Sequence, residues 1–178
     1  MAKEKISVMI AQEEVERRIK ELAEELNTLY AGESLWLVCI LKGSVMFLAE
    51  LAKYLTMPVT MDFIQVSSYG DGTVSSGKLN IKLDLSEEIK DKNVLIVEDI
   101  IDTGRTLKCL KEMLAERGPK TLRICTLLDK PERRTEGRIS ADYTGFVIED
   151  KFVVGYGLDY AQKYRNLPYI GVIEFIEE

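Results

Sequence analysis

Residues 94–106 read VLIVEDIIDTGRT. The run Val94–Val97 is apolar and rich in β-branched residues, the pattern of a strand covered on both faces. Glu98, Asp99 and Asp102 follow at once, and then the small turn Thr103-Gly104. Beyond it, TLKCLKEMLAER (106–117) has a helical apolar period and stops at Gly118-Pro119. A buried strand that feeds a helix through a polar turn is the repeating unit of an α/β fold with a mostly parallel central sheet flanked by helices. In such folds ligands gather at the carboxyl ends of the strands, which is where these acids fall.

The flanking sequence extends the pattern. Val15, Ile19, Leu22 and Leu26 recur at helical spacing, so the chain is expected to open with an amphipathic helix. LWLVCIL (35–41) reads as a second buried strand, followed after KGS by a helix in VMFLAELAKYL, and VTMDFIQV (59–66) as a third strand. Residues 67–80, SSYGDGTVSSGKLN, hold three glycines and four serines and read as a mobile loop. IKLDL alternates behind it, so a two-stranded flap is expected over about 67–85. TLRICTLL, DYTGFVI, KFVVGY and YIGVIEFI supply further short strands. No repeat, low-complexity tract or linker divides the 178 residues, which are expected to form a single domain.

Composition narrows the chemistry. Hydrophobic residues make up 46% and charged residues 30%, as in ordinary globular proteins. No apolar run approaches the roughly 18–20 residues of a membrane span, and MAKEKISVMIAQEEVERR has no signal-peptide core, so a cytoplasmic location is expected. Cys39, Cys109 and Cys125 are scattered in apolar stretches and read as reduced thiols. A net charge of −6 without a long basic block disfavours nucleic acid as a partner. The chain has no histidine. Proton transfer must therefore use Asp, Glu, Lys, Tyr or Cys, and a metal site must be built from oxygens or thiolates.

Within DTGRT (102–106), Asp and Thr suit a helix cap, and Gly104 permits close backbone approach to a ligand. Successive N–H groups at a helix start cradle phosphate, with Thr103, Arg105 and Thr106 as further donors. Neither GxxxxGK[ST] nor GxGxxG occurs. Glu98 and Asp99 beside such a cradle suit ribose hydroxyls and a hard cation such as Mg²⁺. Three carboxylates at one strand end repel each other unless something positive sits among them.

VLIVEDIIDTGRT resembles the phosphoribosyl-pyrophosphate-binding motif of type I phosphoribosyltransferases: an apolar strand, two acids, then a D-T-G-x-T turn. The resemblance continues through LKGS (41–44), SSYG (67–70), LLDKPERR (127–134) and DKFVVGYGLDYAQKYRNLPYIG (150–171), and points to the bacterial hypoxanthine(-guanine) branch of the family. It implies the type I fold, with a small hood lobe from N-terminal residues plus roughly 150–170, and transfer of a 5-phosphoribosyl group to N9 of a 6-oxopurine in purine salvage. It further implies that Asp102, Thr103, Gly104, Arg105 and Thr106 hold the 5′-phosphate, with Asp102 also the general base toward the purine N7. Glu98 and Asp99 would hold the ribose hydroxyls, directly or through Mg²⁺, and Asp159 would lie near a second Mg²⁺. Lys42, Gly43 and Arg165 would bind pyrophosphate, with a cis Leu41–Lys42 bond, and Ser68 and Tyr69 would close over it. Lys130, Lys151, Phe152, Val153 and Asp159 would form the purine pocket, Lys130 donating to the 6-oxo group and Phe152 stacking on the ring. Family members form dimers and tetramers, so a homodimer or homotetramer is expected.

Two other readings keep the fold. One is a salvage enzyme for another base, above all xanthine. The other is a phosphoribosyl-pyrophosphate-sensing regulator that binds RNA, which would need a basic face that the charge balance argues against.

Overall fold

The structure, a computed structural model, describes residues 3–68, 79–134 and 139–176. In chain order the elements are β1 (Lys3–Ile10), α1 (Gln12–Leu29), β2 (Leu35–Ile40), α2 (Val45–Tyr54), β3 (Val59–Ser68), β4 (Leu79–Leu83), β5 (Asn93–Ile101), α3 (Arg105–Ala115), β6 (Thr121–Asp129), β7 (Tyr143–Val147), β8 (Val153–Val154) and β9 (Ile170–Ile176). A single 3-10 turn, Pro131–Arg133, follows β6.

Six strands form the main sheet in the order β4-β3-β2-β5-β6-β7. Every neighbouring pair is parallel except β3–β4, which is antiparallel. The alternation of side chains along a strand explains the unbroken apolar runs. Leu37, Cys39, Leu95 and Val97 join the core under α1 and α2. Val38, Val94 and Ile96 join the core under α3, with Leu107, Leu110 and Leu114. Both faces are thus covered by helices, which is what an all-apolar parallel strand requires.

After β2 the chain winds outward to β3 on one side, then returns to place β5 on the other side of β2. This reversal opens a crevice between the carboxyl ends of β2 and β5. The turn Lys42–Ser44 lies at one lip and residues 98–106 at the other.

The alternation slips at the acidic pair. Val97 and Ile100 both pack toward the α1–α2 core, three positions apart, while Ile101 returns to the α3 side. Glu98 and Asp99 occupy the slip, and both reach the Lys42–Ser44 turn, as described below.

Sequence and structure part company at several elements. The chain opens with strand β1, ahead of the expected helix; β1 pairs antiparallel with β9, from Lys3↔Ile176 to Ile10↔Ile170. Together with β8 these make a separate sheet of order β1-β9-β8. β8 shrinks from the expected KFVVGY to Val153–Val154, because Gly155 at φ 94° and Tyr156 at φ 50° turn the backbone out of extended geometry. β5 runs through Ile101, so Glu98 and Asp99 lie within the strand, not in a turn after it. No side chain caps α3; its N-cap is Gly104, in the left-handed region at φ 77°. The expected flap tip lies largely at 69–78, outside the described residues, while its flanks pair through Ser67↔Asn80 and Ser68↔Leu79. Among the described residues no helix is long and apolar enough to cross a membrane.

Candidate active site

The β2 lip is built by close backbone approach. The Leu41–Lys42 bond is cis, as the resemblance implied. Lys42 is exposed, whereas Gly43 and Ser44 are buried. A Cβ on Gly43 would fall 1.5 Å from Asp99 Oδ2, and one on Gly157, at φ 99°, would fall 1.9 Å from the Gly43 carbonyl oxygen. Only glycine allows these three segments to stack. Ser44 Oγ donates to Glu98 Oε2 at 3.2 Å.

The β5 lip carries the paired acids. Burial and the neighbouring Asp99 charge push the Glu98 carboxyl well above its ordinary range. Burial raises Asp99 to about 6, against the lowering effect of the Ile100 N–H that donates to its Oδ1 at 2.7 Å. Both shifts disfavour the doubly ionised pair, a state that a cation or sugar hydroxyl donors would stabilise. Oxygen donors of this kind fit Mg²⁺, which usually takes one or two protein carboxylates and completes its shell from phosphates and water. Among the described residues no group of three or more acidic or cysteine side chains is placed to hold a metal by itself. Asp159, whose charge acts on Asp99 together with that of Arg165, binds Arg165 Nη2 at 2.7 Å and accepts the Gln162 N–H at 2.8 Å.

Beyond the acids, Thr103 and Gly104 lead into α3, whose first intrahelical bond runs from the Lys108 N–H to the Gly104 carbonyl at 2.9 Å. The N–H groups ahead of it have no partner within the helix, and no acid in the first turn competes for them. Such a helix start is suited to an anion.

A cleft of about 400 Å³ adjoins it, lined by Ile100, Asp102, Lys130, Phe152, Val153 and Asp159, with Arg133, Asp150 and Leu158. Lys130 is buried, and its ammonium lies 3.5 Å from Asp150 Oδ1. Phe152 is half exposed at the rim, where Tyr160 meets its ring edge-on at 5.7 Å and Phe175 supports Tyr160 at 5.1 Å. The Phe152 carbonyl accepts the Ile173 N–H of β9, which fixes the rim to the small sheet.

Most of the sequence-derived residues therefore converge on one crevice and its adjoining cleft. Arg165 sits behind the Lys42–Ser44 turn, where Nη1 donates to the Gly157 carbonyl at 2.7 Å. Lys151 does not line the cleft; it is exposed and pairs with Glu149 at 2.9 Å. Arg105 is exposed on the first turn of α3. Ser68 ends β3, and Tyr69 lies outside the described residues. Sequence reasoning missed three participants: Ile100 in the cleft wall, Asp150 beside Lys130, and Arg133. Arg133 Nε donates to Asp102 Oδ1 at 2.9 Å, and Nη1 lies 3.5 Å from Asp150 Oδ2. The signal was present in LLDKPERR and DKFVV, whose charged residues beyond the lysines had no assigned partner.

A switch-point crevice with an open helix N-terminus, paired acids and a basic turn is the arrangement of a phosphoribosyl-transferring fold, and the comparisons agree. Residues 9–161 match the phosphoribosyl transferase domain family, to which the chain belongs. Within it, the hypoxanthine-guanine phosphoribosyltransferase of Streptococcus pneumoniae is 53% identical over 94% of this chain and 92% of its own. The hypoxanthine phosphoribosyltransferase of Salmonella typhimurium is 47% identical over 99% of both chains. The crystal structure of a hypoxanthine-guanine phosphoribosyltransferase from Bacillus anthracis aligns with a TM-score of 0.89 at 46% identity, covering 93% of this chain and 97% of the other.

Proposed function

We propose that the chain is a purine-salvage enzyme that transfers the 5-phosphoribosyl group of phosphoribosyl pyrophosphate to N9 of hypoxanthine and guanine, giving IMP and GMP and releasing pyrophosphate. The observation that carries this reading is the meeting, at one switch point, of the open α3 N-terminus, the Glu98–Asp99 pair and the Lys42–Gly43 turn, beside a cleft holding Lys130 and Phe152.

In this reading the N–H groups of 102–106 and the hydroxyls of Thr103 and Thr106 take the 5′-phosphate, and Glu98 and Asp99 take the ribose hydroxyls. The same two acids are the groups that would hold Mg²⁺, which when bound supplies positive charge against the leaving pyrophosphate. Lys42 and Arg165 add charge on that side. Phe152 stacks on the base, the Val153 backbone reads its edge, and Lys130 donates to the 6-oxo group. An exocyclic amine at that position leaves the ammonium without an acceptor, which rejects adenine. Asp102 accepts the purine proton; Arg133 engages its Oδ1, which leaves Oδ2 for the base. A carboxylate in this role accords with a chain that has no histidine. Ser68 and Tyr69, on the 67–85 flap, close over the pyrophosphate to exclude water from an oxocarbenium-like ribosyl centre. The β1-β9-β8 sheet with the 150–170 segment is the hood. The assembly is a homodimer or homotetramer; Met61, Phe63, Ile81 and Leu83 on the β3–β4 edge are exposed apolar groups suited to such a contact.

The test is nucleotide formation followed by ultraviolet absorbance with phosphoribosyl pyrophosphate, Mg²⁺ and hypoxanthine, guanine, xanthine or adenine, with an Asp102→Asn protein alongside. Turnover of hypoxanthine and guanine, none of adenine, and a loss of about 100-fold or more in Asp102→Asn are expected. Turnover of xanthine alone would overturn the base assignment, and turnover of no base would overturn the enzyme reading.

A further inference from the structure

Arg134 is the most heavily bonded side chain near the site, yet none of its bonds goes to a group assigned to touch substrate through its side chain. It is 6% exposed and forms an ion pair through Nη2 with Asp129, at the end of β6. Nη1 donates to the carbonyl of Ile101 at 2.8 Å, to that of Asp102, and to that of Lys130 at 3.2 Å. Nε donates to the Ile139 carbonyl at 3.1 Å. One planar fork thus joins the last residues of β5, the start of the phosphate turn, the Lys130 turn and the Ile139 segment.

We propose that Arg134 is a positioning residue of the reaction: it orients the peptides of the phosphate turn for the 5′-phosphate and locks that turn to the purine-reading lysine. In a trans peptide the C=O and the following N–H point in opposite directions. Holding the Ile101 and Asp102 carbonyls toward Arg134 therefore aims the Asp102 and Thr103 N–H groups away from it. A cation on the carbonyl oxygens also polarises those peptides, which makes the N–H groups stronger donors to an anion. The turn is supported from below as well, since a Cβ on Gly104 would lie 2.5 Å from Ile139 Cγ2 and 3.7 Å from Arg134 Cδ. A lysine keeps the charge beside Asp129 but has one nitrogen, which cannot serve four separated carbonyls.

The inference rests on the assignment of residues 102–106 to the 5′-phosphate, and its test separates the two. Calorimetric titration with IMP and with inosine, which lacks only the phosphate, is run on the wild type, Arg134→Lys, Arg134→Gln and Asp129→Asn. The ratio of the two dissociation constants is independent of the fraction of folded protein. That ratio is expected to fall about tenfold or more in both Arg134 variants, and to stay near the wild-type value in Asp129→Asn, which keeps the carbonyl bonds. A wild type that binds IMP no tighter than inosine would overturn the phosphate assignment and this proposal with it. A wild type that discriminates, with Arg134 variants that discriminate equally, would overturn the role of Arg134 alone. So would an equal loss in Asp129→Asn, which would reduce Arg134 to one half of a buried ion pair.

Discussion

The stacking of Gly157 on Gly43 permits a controlled experiment, because a second glycine also has a positive φ but lacks the contact. Gly157 has φ 99° and its Cβ would approach the Gly43 carbonyl oxygen to 1.9 Å, about 1.5 Å inside the 3.4 Å of ordinary contact. Gly32 has φ 77° and a Cβ there would meet nothing within 4 Å. Placing alanine in the left-handed region costs about 1–2 kcal/mol at either position. For a chain of this size that lowers Tm by roughly 2–8 °C. Gly32→Ala should show this loss and nothing else. In Gly157→Ala the clash is with backbone, so the Lys42–Gly43 turn must retreat from Asp99. A displacement of that size in a substrate-positioning turn costs about 100-fold in kcat/KM for phosphoribosyl pyrophosphate, or about 2.7 kcal/mol. Steady-state kinetics at saturating hypoxanthine, with thermal unfolding of both variants, measures each part. If Gly157→Ala loses no more stability than Gly32→Ala and stays within about threefold of wild-type kcat/KM, the two segments do not position each other and the reasoning fails.

Three further outcomes are expected. Burial, together with the Glu98 and Asp99 charges, pushes the Cys39 thiol up to about 12, and burial raises Cys125 as well. Only about one Cys39 thiol in 10⁴ is then ionised at pH 8, so a disulfide reagent should modify Cys109 alone in the native protein and all three free cysteines after denaturation; fast reaction of a second thiol would contradict this. Lys130→Met removes a charged donor worth about 1.5–3 kcal/mol, so kcat/KM for hypoxanthine should fall roughly 10- to 150-fold without gain of adenine turnover, and unchanged kinetics would remove Lys130 from the base pocket. Because the chain lacks an all-protein metal cage among its described residues, Mg²⁺ alone should shift Tm by less than about 1 °C, whereas Mg²⁺ with phosphoribosyl pyrophosphate should raise it by several degrees. A large shift with Mg²⁺ alone would mean a site built wholly from protein groups.

The strand-turn-helix of residues 93–115 was legible because its information is local: an apolar run, a break in pattern and a helical period. The same holds for β2 and α1. β1 was not legible, since Lys3, Glu4 and Lys5 break the apolar pattern and its partner β9 lies at the other end of the sequence. The slip that turns Glu98 and Asp99 toward Gly43 and Ser44 is likewise absent from the sequence, because a period-two reading sends adjacent residues to opposite faces. The ion pair of Arg133 with Asp102 and the bonds of Arg134 to the Ile101 and Asp102 carbonyls span about thirty residues each and depend on β5 and β6 being neighbours. Charged residues are readable one at a time; their pairing is a property of topology.

The small sheet sets an order of assembly. β9 is its central strand, with β1 and β8 on either side, and the Phe152 carbonyl and Val153 are anchored to it through Ile173 and Val172. During synthesis the parallel sheet through β7 has all its strands in hand before residue 170 leaves the ribosome. The first strand and the Phe152 rim do not; they wait for the same late segment. The nascent chain therefore passes through a stage in which the turn at 102–106 is formed while the Phe152 rim of the adjoining cleft lacks its support, and that side of the cleft is completed last. Folding follows the sequence, and here the final strand closes what the first one began.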